Sequence, residues 1–145
     1  MICGSIGFSQ KATTFQKAID SGISIKALDS LYKPALSQGP DSLQAVFRVK
    51  SKEFYASYVG LLKDLAKHLK DNGFAWSKQT RCFNRIYFNE YGTIDYFLFN
   101  FKPGEIDAAK AEQFETLLST FIKTYTFSLP AATKFAQCSP VTYSD

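Results

Sequence analysis

The side chains best suited to chemistry in this 145-residue sequence lie between Lys63 and Tyr87. Lys63, Lys67, Lys70, Lys78, Arg81 and Arg85 face only Asp64 and Asp71 there, so Lys63–Arg85 holds the chain's whole formal excess of +4. A clustered excess of this kind is an electrostatic footprint. If Cys82 to Phe88 form a strand, Arg81, Phe83, Arg85 and Tyr87 alternate onto one face. Guanidinium groups between aromatic rings suit RNA or single-stranded DNA, because Arg pairs with phosphate and rings stack on unpaired bases. Lys63, Lys67 and Lys70 form a separate ridge on the preceding helix. Against this reading, charged helix faces are routinely just solvated, and strand aromatics commonly belong to cores. The stretch Thr93 to Phe101 also lacks the Gly and basic residue of the RNA-recognition aromatic motif.

Other candidate chemistry is thinner. His68 is the only histidine, and a Cys–His nucleophile would pair it with Cys82, the nearest cysteine in sequence. No third, orienting group is evident. Metal binding finds no C-x-x-C, no H-x-x-x-H and no tight Cys/His cluster, so neither metal nor cofactor is expected. Glu90 and Asp95 flank a turn, while Glu105 and Asp107 precede a helix. Acid–base work needs two carboxyls in one cleft, whereas these fit a turn and a helix N-terminus. Gly4 and Gly7 lack the strand and helix of a phosphate loop.

The elements that must position these residues follow from periodicity. Ser9 is expected to cap a helix carrying Ala12, Phe15, Ala18 and Ile19, stopped by Gly22. Ser24 caps a second, with Leu28, Leu31, Tyr32, Ala35 and Leu36, broken or kinked at Pro34. Residues 37–42 read as a loop. Leu43, Ala45, Phe47 and Val49 alternate as a half-buried strand to Lys50. Ser51 then caps a helix over Lys52–Asp71, with Phe54, Tyr58, Leu61, Leu62, Leu65 and Leu69 on one stripe and Asn72-Gly73 as its stop. Cys82–Phe88 and Thr93–Lys102 read as strands joined by the Asn89–Gly92 turn. The second is apolar on both faces, which requires cover on both. A helix from about Asp107 to Tyr125 carries Phe114, Leu117, Leu118, Phe121 and Ile122. Thr133–Cys138 is a short last strand, and residues 139–145 a tail.

From residue 43 the order is strand, helix, strand, strand, helix, strand. That is the ferredoxin-like split βαβ order, and it predicts an α+β fold with an antiparallel sheet. Residues 1–40 would be a helical extension packed on a 43–138 core within one domain. The length suits a single core without disulfides. Three widely spaced cysteines do not make a secreted framework, and no leader or bilayer span of roughly 20 apolar residues is read. The expectation is therefore a soluble cytoplasmic protein. Aromatics make up 16% of it, and Tyr, Phe and Arg are favoured in interface cores. With no catalytic constellation, the expected function is a small non-enzymatic binding module for a protein partner or a second copy of itself. Nucleic-acid binding through residues 63–87 is the alternative. An enzyme whose site is assembled from distant residues stays open.

Overall fold

The computed structural model describes residues 10–36 and 45–145. Ser9, Gly4, Gly7, Cys3, residues 37–42 and Leu43 lie outside that description. The elements are β1 (Lys11–Thr14), α1 (Phe15–Asp20), α2 (Ile25–Leu31), β2 (Lys33–Pro34), α3 (Ser51–Asp71), β3 (Thr80–Phe88), β4 (Ile94–Asn100), α4 (Ala108–Thr124) and β5 (Phe135–Tyr143). The fold is α+β, with helices packed on one five-stranded sheet of order β1-β4-β3-β5-β2.

The sheet is mixed, which corrects the antiparallel expectation. β3 pairs antiparallel with β4 and β5, but β1 lies parallel to β4 and β2 parallel to β5. The ferredoxin-like order also fails, because both edges come from the N-terminal segment that was read as purely helical. The helical spacing of Ala12, Phe15 and Ala18 hid a strand-to-helix switch. Thr13 and Thr14 are β-branched and suit a pleated strand, and Thr14 then caps α1 by accepting from the Lys17 N–H at 3.1 Å.

Residues 45–50 of the expected strand likewise do not form one. Val46 and Phe47 donate to the Pro34 and Ala35 carbonyls, after which Arg48 and Lys50 bond back to Ala45 and Phe47 and turn the chain into α3. The alternation holds as a burial pattern only from Ala45 to Arg48, where Ala45 and Phe47 are buried and Arg48 is exposed; Val49, expected on the buried face, is exposed. The alternation lacked a ladder. Ser51 is the first helical residue rather than the cap, which is Lys50. β5 runs on through Ser139 to Tyr143, so the supposed tail is sheet, paired residue for residue with β3.

The long helix behaves as its stripe demands: Phe54, Tyr58, Leu61, Leu65 and Leu69 are buried. Its end is a Schellman arrangement, with Phe74 N–H bonding the Leu69 carbonyl, Gly73 N–H that of Lys70, and Gly73 at φ +77. Asp107 caps α4 through the Lys110 N–H.

The central strands divide the core in two. Cys82, Ile86, Phe88, Phe97, Phe99 and Phe135 pack under α3 and α4. Tyr87, Leu98 and Ala136 face the other way, under Ala18, Leu28 and Tyr32 of the N-terminal segment. The two-sided cover required by residues 93–102 is therefore present. Each of these fully buried aromatics is worth roughly 1.5–3 kcal/mol of transfer free energy.

Glycine chemistry tests the turn and the helix separately. Gly92 sits at φ +84, and a Cβ there would lie 3.0 Å from the Phe127 carbonyl oxygen; Phe127 N–H also bonds the Gly92 carbonyl. Gly60, inside α3, has ordinary φ and open space around it. Urea denaturation should show Gly92→Ala destabilised by about 2 kcal/mol and Gly60→Ala stabilised by about 0.5–1 kcal/mol. Equal effects at the two positions would contradict this local geometry.

Candidate functional site

The sequence-selected residues fall on two sides of the sheet. Lys63, Lys67 and Lys70 ride on the outer surface of α3, and Lys67 is held by Asp71 one turn on, at 2.5 Å. Arg81, Phe83, Arg85 and Tyr87 alternate onto the opposite face of β3, as expected from a strand. The sheet thus separates the lysine ridge from the strand residues, and the two do not make one surface.

The strand set itself divides in two. Tyr87 is fully buried, and its hydroxyl donates to Asp29 of α2 at 2.9 Å. Arg85 is half-buried and donates from Nη1 to both Asp29 oxygens, at 2.9 and 3.1 Å. Its guanidinium lies 6.0 Å from the centre of the Phe15 ring. One carboxylate thus fastens α2 to two neighbouring strand residues. A second fastening is the Tyr32 hydroxyl, which donates to buried Asp95 at 2.6 Å while the Asn89 amide donates to its other oxygen. Burial, followed by the Asp95 hydrogen bond, raises the Tyr32 hydroxyl above the ordinary tyrosine value, so it stays a donor at neutral pH. Arg85 and Tyr87 are therefore committed to holding the N-terminal cover.

Arg81 and Phe83 lie beyond that cover. Where α1 ends its reach, the Phe15 ring meets Phe83 edge-on at 6.1 Å, and the rest of the sheet end is open. Arg81, Phe83, Asn100, Lys102, Pro140 and Thr142 border a hollow of about 250 Å³. They come from three adjacent strands or their ends: Arg81 is opposite Thr142, and Phe83 is opposite both Asn100 and Pro140. Phe83 remains 36% exposed. The ionised groups lining the hollow are both cations. Arg81 has a partner at its rim, Glu105, at 3.5 Å, and Glu105 also accepts the Arg81 N–H at 2.7 Å. That backbone hydrogen bond, with the guanidinium behind it, lowers the Glu105 carboxyl below its ordinary value.

Lys102 was not singled out from sequence. Its signal is register: it follows β4 by two residues and reaches the same sheet end as Arg81. Only the pairing of β3 with β4 reveals that neighbourhood.

The nucleophile and acid–base candidates are dispersed. His68 Nε2 lies 3.0 Å from both the Leu117 carbonyl and the Thr120 hydroxyl, between α3 and α4. Cys82 is buried against the sheet and donates to the Asn84 side chain at 3.3 Å. Burial pushes its thiol up to about 12, and burial also raises Cys138. Glu90 is exposed at its turn, Asp95 is hydrogen-bonded to Tyr32 and Asn89, Glu105 is paired with Arg81, and Asp107 caps α4. Among the described residues, no group of three His, Cys, Asp or Glu side chains is placed to hold a metal, and no helix is long and apolar enough to cross a membrane.

No family model matches the chain, and no match is found among the curated proteins or the solved structures.

Two outcomes follow from this geometry. A double-mutant cycle of Asp29→Ala and Arg85→Ala, followed by urea denaturation, should give a coupling of about 0.5–3 kcal/mol; additive effects would show that the clasp carries no energy. In a Cys3→Ser variant, Cys82 and Cys138 should react slowly with a thiol reagent at pH 8 and promptly after unfolding. The sign follows from the raised values, which leave little thiolate at that pH. Fast reaction in the folded state would contradict the burial described.

Proposed function

We propose that this chain is a non-enzymatic binding module for a protein partner, taken up as an acidic segment laid across the open end of the sheet. The observation that carries the reading is the uncovered corner around Phe83. A large apolar ring lies exposed at the centre, flanked by Arg81 and Lys102. The remaining lining is polar but uncharged at Asn100 and Thr142, and rigid at Pro140. An aromatic centre with a cationic rim is the composition of a protein-binding surface, and its charge complements acidic side chains. The hollow is too small for a large ligand and suits one inserted side chain.

Nucleic-acid binding uses similar chemistry, but this geometry gives it less support. Of the strand residues, only Phe83 and Arg81, the latter paired with Glu105 at the rim, lie outside the N-terminal cover, and Lys63, Lys67 and Lys70 lie across the sheet. A stacking platform needs successive rings along a basic groove, whereas this corner offers one exposed ring.

The test uses fluorescence anisotropy with two labelled probes: an eight-residue peptide of Glu with one central Phe, and a mixed single-stranded oligonucleotide. The peptide should bind, and the variant carrying Arg81→Ala, Phe83→Ala and Lys102→Ala should lose about tenfold or more. The three side chains are at the surface, and circular dichroism checks that the fold is kept. Unchanged peptide binding by the variant sinks the surface. Oligonucleotide binding alone, falling steeply with salt, transfers the chain to the nucleic-acid reading. A mass that doubles with concentration in light scattering, and is abolished by the variant, makes the partner a second copy.

A further inference from the structure

A second hollow, sharing no residue with the first, lies where residues 45–50 turn into α3 beside the segment leading to β5. It measures about 480 Å³, within the range of small-molecule sites. Its ionisable lining groups are Lys33, Arg48 and Lys50, with no carboxylate among the lining residues. None of the three has an ion pair among the described residues, whereas Lys17, Lys67, Arg81 and Arg85 each have one. Three cations border one concavity that has no anionic residue in its lining, so an anion placed there is attracted by all three. The rest of the wall is mainly apolar, with Val49 and Ala131 among its residues, and Val49 is 85% exposed.

The start of α3 meets the hollow through its N-cap residue, Lys50. Thr14, Ser24 and Asp107 each cap their helix with a side-chain oxygen, but no side chain caps α3, whose N-cap is the cation Lys50. Cations at a helix N-terminus oppose its dipole. The first turn of α3 carries its own carboxylate, Glu53, and does not line the hollow, so an anion there is drawn by the three side chains.

We propose that this hollow binds a phosphate-bearing small molecule, with its phosphate among Lys33, Arg48 and Lys50 and an apolar body along Val49 and Ala131. A phosphate matches the charge better than a carboxylate, because it carries more negative charge and more acceptor oxygens for a guanidinium fork and two ammonium groups. The inference stands apart from the protein-binding reading and survives its failure.

The experiment is an amide ¹H–¹⁵N titration of the full chain with phenyl phosphate, inorganic phosphate and benzoate. Phenyl phosphate should shift the amides of residues 46–52 and 131–133. It should bind about tenfold tighter than either of the other two, which lack the apolar body or the dianion. Arg48→Ala with Lys50→Ala should weaken it about tenfold or more. If that pair perturbs the spectrum elsewhere, Lys33→Ala gives the same reading from the other wall. Shifts spread over lysines across the surface, benzoate binding as tightly as phenyl phosphate, or variants that bind like the parent would each overturn the proposal.

Discussion

The structure depends on a β-hairpin that has no face fit for water. β3 and β4 place Ile86, Phe88, Phe97 and Phe99 on one side and Tyr87, Tyr96 and Leu98 on the other. An ordinary antiparallel hairpin alternates apolar and polar residues and needs one cover. This one needs two, and the chain supplies them from both sides of the hairpin in sequence. α3 and α4 make the first cover in long, regular helices. The second is made by two short helices, six and seven residues long, which have little stability of their own.

Short helices need fastening, and this need reorganises the polar residues. Asp29 holds Arg85 and Tyr87, Asp95 holds Tyr32, and Glu115 of α4 accepts from Thr13 and Lys17 around the sheet edge. Each of these carboxylates takes at least two donors. Arg85, one of the charges that looked available for recognition, is thereby consumed in positioning the N-terminal segment.

Most long elements were legible in the sequence: α3, α4 and β3 carry a period and β4 is a near-continuous apolar run between turns, whereas β5 was read only as far as Cys138. The apolar double face of β4 even announced a second cover and pointed to the N-terminal helices as its source. The edges were not legible. β1 has four residues and β2 two, too few for a period of two to show, and helical spacing at Ala12, Phe15 and Ala18 masked the first. Site residues suffered differently. Alternation placed Arg81, Phe83, Arg85 and Tyr87 on one face correctly, but it carries no information on which of them meets a carboxylate from another element. Asp29 is 56 residues from Arg85, and only tertiary structure joins them. Arg48, Val49 and Lys50 were read as the end of a strand, and that reading obscured the turn of the chain into a helix.

The small size of the outermost strand has a consequence for how copies of this protein meet. A sheet edge grows by offering a row of N–H and C=O groups to another chain. β2 offers two residues, and one of them, Pro34, has no N–H to give. At β2 the ladder stops almost where it starts, and the Pro34 carbonyl already accepts from Val46, so fibre-like extension from one molecule to the next finds little template at that edge.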